Sequence, residues 1–139
     1  MNSTAMTQAA VRQSLANCKT IAVVGLSPKP HRDSFRVAKY LQDKGFRIVP
    51  INPNTPQVLD ERSYATLTEA AQHERIDMVN CFRNSEDIPP IAAEAIAIGA
   101  KSLWLQIGVV NDDAAKQATD AGLVVVQNLC LMVEHRQLG

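Results

Sequence analysis

Ser27, Lys29, His31, Arg32 and Ser34 stand close together in the stretch Thr20-Ile-Ala-Val-Val-Gly-Leu-Ser-Pro-Lys-Pro-His-Arg-Asp-Ser-Phe35. Hydroxyls and cations at this density suit one chemistry above others, the holding of a phosphate. Their setting fits that use. Ile21 to Val24 is an apolar run that reads as a strand buried on both faces, and Gly25 ends it. Asp33 and Ser34 are both residue types that cap helix N-termini, and Val37, Tyr40 and Leu41 follow at helical spacing. A strand, a glycine turn and a helix start present unpaired N–H groups and partial positive charge to an anion. Lys29 lies between Pro28 and Pro30, which donate no N–H, so side-chain cations would make up for the missing amides. The alternative is that Lys29, Arg32 and Arg83 are solvated loop charges and Ser34 an ordinary first-turn residue.

The elements that must position these groups alternate along the chain. A leading helix is expected over residues 7–17 after a loose start at 1–6. Strands are expected at 20–25, 47–51, 76–82, 102–107 and 123–127, and helices at 34–44, 67–72, 86–98, 111–120 and 131–137. Residues 53–65, with two prolines and little periodicity, read as a loop. Alternation of this kind predicts an α/β, three-layer Rossmann-like fold over residues 1–139, with a five-stranded parallel sheet in the order 3-2-1-4-5 and helices on both faces. Ligands of such sheets bind beyond the carboxyl ends of the strands. Ser27 and Lys29, Asn52, Phe82 and Arg83, Gln106 and Gly108, and Asn128 and Cys130 all fall there. Arg83 could pair bidentately with a second phosphate. Phe82 could be core or a wall against an adenine ring. Asn52 before Pro53 could simply stop its strand. Gln106, inside an apolar strand, needs hydrogen-bond partners, and Trp104 reads as core.

Composition narrows the partners. The 139 residues carry 14 basic and 14 acidic side chains, so no general nucleic-acid or membrane surface is expected and any positive site must be local. Cys18, Cys81 and Cys130 are an odd number without CxxC spacing, which favours reduced thiols over a disulfide framework or zinc site. No metal site is expected. Neither a basic-then-apolar leader nor an apolar run of membrane-spanning length is seen, and cytoplasm is the default compartment.

Two nucleotide readings weaken on inspection. In the G-x-G-x-x-G dinucleotide fingerprint only Gly25 is present, Ser27 and Pro30 holding the later positions, and Asn52 stands where an acid would bind ribose. An NADP site would tolerate that missing acid, so an NADP-dependent oxidoreductase stays as an alternative. There is no G-x-x-x-x-G-K-[ST] loop for a triphosphate. Cys130 with His135 five residues on could form a thiol–base pair, which keeps a thiol-dependent enzyme in view.

The chain resembles the small stand-alone CoA-binding domain proteins (the YccU-like family), themselves similar to the CoA-binding domain of succinyl-CoA synthetase α subunits. The resemblance spans about residues 13–138. It rests on Val23-Val24-Gly25-Leu26-Ser27-Pro28-Lys29-Pro30 then Ser34, on Pro50-Ile51-Asn52-Pro53, on Val79-Asn80-Cys81-Phe82-Arg83, on Trp104-Leu105-Gln106-Ile107-Gly108 and on Asn128 to His135. It implies binding of coenzyme A or an acyl-CoA through the loop after the first strand. Gly25, Ser27, Lys29, Arg32 and Ser34 would face the phosphates, Asn52, Phe82 and Arg83 would border adenosine or pantetheine, and Gln106 and Gly108 would lie on the far side. No catalytic residue is implied, and no phosphohistidine partner domain or ATP-grasp module is present to carry over a ligase reaction. A non-enzymatic role in sensing, storage or delivery is the expectation, with an unknown protein partner left open, and a thiol-dependent enzyme using coenzyme A as substrate stands as an alternative. Asn80 departs from the acid many relatives carry, and Asn128-Leu129 from their Asp-Arg, which removes a cation from the distal part of the site.

Overall fold

The computed structural model describes residues 3–138. Helix α1 (Ser3–Leu15) leads, followed by β1 (Thr20–Val24), α2 (Asp33–Asp43) and β2 (Arg47–Ile51). A small hairpin of β3 (Gln57–Val58) and β4 (Glu61–Arg62) comes next, then the one-turn helix α3 (Leu67–Ala70) and β5 (Met78–Cys81). A 3-10 turn at Ser85–Asp87 runs into α4 (Ile88–Ala97). The chain ends with β6 (Ser102–Leu105), α5 (Asp112–Asp120), β7 (Val124–Val126) and α6 (Leu131–Leu138). The helix begins at Ser3, so residues 3–6, expected to be loose, are helical; residues 1 and 2 lie outside the described residues.

The strand pairings β1–β2, β1–β5, β5–β6 and β6–β7 are all parallel, giving the order β2-β1-β5-β6-β7. The fold class is the one expected, a five-stranded parallel Rossmann-like sheet between helical layers. A 3-2-1-4-5 pattern is met only with the edge at Tyr64 counted as the third position; the stretch expected third, 76–82, is β5 and lies between β1 and β6 instead of outside β2. Tyr64 bridges Ile51 in parallel, donating its N–H to the Pro50 carbonyl and accepting from the Asn52 N–H. Tyr64 thus fills the third position at the edge, as a single-residue rudiment in a stretch read as loop. The next full strand, β5, then takes the fourth position and lies directly beside β1. This adjacency sets Phe82 and Arg83 against the loop that follows β1.

Side chains alternate across the sheet as a strand dictates. Ala22, Val24, Val49, Ile51, Val79, Cys81, Leu103 and Leu105 pack against residues of α3, α4 and α5. Ile21, Val23, Ile48, Met78, Trp104 and Val126 pack on the other face against residues of α1, α2 and α6. Trp104 is fully buried core, as expected, and its Nε1–H donates to the Leu129 carbonyl at 2.8 Å. Burial pushes the Cys81 thiol up to about 12, so it is an apolar core group and not a nucleophile at neutral pH.

Candidate functional site

The loop between β1 and α2 is tied by its own hydroxyls. Helix α2 starts after Arg32, which makes no side-chain cap bond; Asp33, expected as the cap, is instead the first helical residue and pairs with Arg36. Ser34, one residue further in and buried, accepts the Ser27 N–H on its Oγ at 3.0 Å. The Oγ of Ser27 in turn accepts the Lys29 N–H at 3.1 Å. Two backbone amides that an anion could have used are therefore engaged by side chains. What remains for an anion here is charge. Lys29 and Arg32 are exposed, and neither enters an ion pair among the described residues.

Gly25 makes the turn with φ +84° and donates its N–H to the Ile51 carbonyl at 3.0 Å. Asn52 acts as a tie between loops. Its Nδ2 donates to the Leu26 carbonyl at 2.9 Å and its Oδ1 accepts the Asn54 N–H at 2.8 Å. Gln106 finds partners within the protein. Its Oε1 accepts from Asn80 Nδ2 at 3.2 Å and from the Leu131 N–H at 3.0 Å, fixing the start of α6 to the end of β6. Gly108, at φ +85°, donates to the Asn128 Oδ1 at 2.7 Å, so Asn128 ties the ends of β6 and β7. Arg83 is half exposed and stands 3.7 Å from Asp87. His135 presents Nδ1 to the Tyr40 hydroxyl at 2.8 Å, and no hydrogen bond joins it to Cys130.

Three recesses adjoin along the carboxyl edge of the sheet. The first, of about 520 Å³, runs from Val24, Gly25 and Ser27 past Asn52 to Leu67, Arg83, Ile91 and Glu94. The second, of about 410 Å³, holds Gly25, Ser27, Lys29, Arg32, Ser34 and Phe82. The third, of about 570 Å³, is walled by Phe82, Arg83, Ser85, Gln106, Ile107 and Gly108. The shared residues make them one groove, and each part falls in the size range of small-molecule sites, about 300–1,000 Å³. All ten sequence-selected residues line it. The apolar wall of Ile51, Pro53, Leu67, Pro90 and Ile91, and the acids Glu86, Asp87 and Glu94, also line the groove, and sequence reading does not place them there. Their periodicity marks them only as helix and strand faces, and nothing in it points to a groove.

Residues 19–136 match the family described as CoA binding domain. The chain is 38% identical over 128 residues to the uncharacterized protein YneT of Bacillus subtilis (strain 168), covering 92% of this chain and 93% of that protein. A hypothetical protein from Pyrococcus horikoshii OT3 superposes with a TM-score of 0.89 at 37% identity, over 96% of this chain and 93% of that one. The structure of cell-free ID.343 from Thermus thermophilus gives 0.87 at 32% identity, over 100% of both chains.

Proposed function

This chain belongs to the CoA binding domain family, and from that premise we propose that its groove holds coenzyme A or an acyl-CoA without catalysing a reaction on it, for sensing, storage or delivery. Membership supports CoA binding in general. The finer reading rests on one observation: residues from four separate strand ends, ten in all, meet in a single groove. The residues present suit the ligand. Lys29 and Arg32, cations of the Ser27–Ser34 loop that enter no ion pair among the described residues, would hold the diphosphate. The recess between Asn52, Pro53, Leu67 and Ile91 offers an apolar slot for adenine. Arg83 belongs to both the first and third recesses and would sit where the ligand turns. Phe82 and Gly108 would flank the pantetheine arm. Gly25, Ser34 and Asn52 serve the ligand by holding the rim in shape, since the Gly25 N–H, the Ser34 Oγ and the Asn52 side chain are engaged within the protein, and Gln106 is anchored through its Oε1. When bound, coenzyme A supplies a thiol or thioester; the chain supplies charge, shape and orientation.

Calorimetric titration with CoA, acetyl-CoA, NAD and NADP tests this reading. CoA and acetyl-CoA are expected to bind and the nicotinamide nucleotides to bind far more weakly. Binding of NADP without CoA would overturn it and favour the oxidoreductase alternative.

A further inference from the structure

Coenzyme A differs from most adenosine diphosphate ligands by a phosphate on the ribose 3′ position. Resting on the reading of the groove as a CoA site, we infer that the adenosine recess does not read that 3′-phosphate, so that the 3′-dephosphorylated form binds about as well. Three observations lead there. First, the only cation among the described residues lining this recess is Arg83, and it is paired with Asp87 at 3.7 Å. Lys29 and Arg32 belong to the adjoining recess over the loop, where the diphosphate would lie. Second, the same recess is walled by three acids, Glu86, Asp87 and Glu94. Glu94 is occupied with the first turn of α3, its Oε2 accepting from the N–H and hydroxyl of Thr68; Glu86 has no such partner among the described residues and is exposed.

Third, the helix start that borders the recess is stripped of its usual anion-binding capacity. A helix N-terminus attracts phosphate through its free N–H groups and its dipole. In α4 the first turn holds Pro89 and Pro90, which have no N–H, and the 3-10 turn feeding it holds Glu86 and Asp87. The acids already satisfy the dipole that a phosphate would have met. The loop after β2, Asn52-Pro53-Asn54, adds no cation. A phosphate on the ribose would thus meet negative charge on one side and water on the other.

Calorimetric titration of the full chain with CoA and with 3′-dephospho-CoA, at low ionic strength to keep screening weak, decides the matter. Dephospho-CoA is expected to bind within about threefold of CoA, or more tightly. A loss of more than about threefold while CoA binds normally overturns this inference and leaves the CoA reading standing. The double variant E86Q/D87N, at solvent-accessible positions, provides the second arm. It is expected to favour CoA over dephospho-CoA by about threefold relative to the parent chain, since it removes two charges and releases Arg83. An unchanged preference overturns the placement of the acids beside the 3′ position. If neither ligand binds, the inference falls together with the reading it rests on.

Discussion

A Cβ placed on Gly25 would stand 2.8 Å from the Phe82 carbonyl oxygen and 3.1 Å from the Arg83 Cδ. The closeness follows from strand order. With β5 beside β1, Val24 pairs with Cys81, and the Phe82 N–H donates to the Val24 carbonyl at 2.9 Å. The chain can therefore turn out of β1 over the end of β5 only where no side chain is present. The same packing brings the loop of cations and Arg83 to one groove.

Gly25→Ala should accordingly cost twice, through its positive φ and through the clash. The backbone part is about 1–2 kcal/mol. Gly45 is the control: its φ is +98° and a Cβ there meets nothing within 4 Å, so Gly45→Ala carries the backbone cost alone. Urea unfolding is expected to rank Gly25→Ala below Gly45→Ala in stability, and CoA affinity to fall in Gly25→Ala only. Equal losses in the two variants would show that the rim yields without strain.

Much of this architecture is legible in the residues. Ile21-Ala22-Val23-Val24 declares a strand covered on both faces, and the two cores divide its side chains in alternation. The loop residues after β1 and β5 reveal themselves by type, because serines and cations beside a glycine turn have few uses. Other features depend on neighbours remote in sequence. Tyr64 becomes an edge strand only because Pro50 and Asn52 lie beside it. The β3–β4 hairpin turns through Leu59 and Asp60, both at positive φ, without the Asn-Gly signal that would announce it. Asn52 and Gln106 stand on the rim, yet their bonds go to Leu26, Asn80 and Leu131, some 25 positions away, so their part as ties is invisible in the sequence.

Lys29 and Arg83 are exposed, so their removal tests binding with little effect on folding. Lys29→Ala and Arg83→Ala are each expected to weaken CoA by about 1–3 kcal/mol, the worth of a charged hydrogen-bonded contact. Unfolding midpoints should barely move, because among the described residues the only ion pair lost is Arg83–Asp87, and exposed pairs contribute about 0–1 kcal/mol. Titrations over a salt series should give a shallower salt dependence for each variant than for the parent chain. Affinity unchanged in both would remove these side chains from the phosphate site.

His135 links α6 to α2 and makes stability sensitive to acid. Its ring meets those of Tyr40 and Phe46 edge-on, and its Nδ1 shares a hydrogen bond with the Tyr40 hydroxyl. Burial, and then the charge of Lys44, hold its pKa below the ordinary 6.5. Arg136 and Lys44 both approach the Tyr40 ring, so a charged imidazole would be a third cation in the cluster. Because the folded state binds the proton less readily than the unfolded chain, this contribution is complete above about pH 6.5 and is lost as the pH falls through the lowered value. His135→Phe keeps a ring between Tyr40 and Phe46 but cannot titrate. Urea midpoints measured from about pH 7.5 down to 5 should therefore fall less steeply for His135→Phe than for the parent chain. Parallel pH profiles for the two proteins would assign the acid sensitivity to another group.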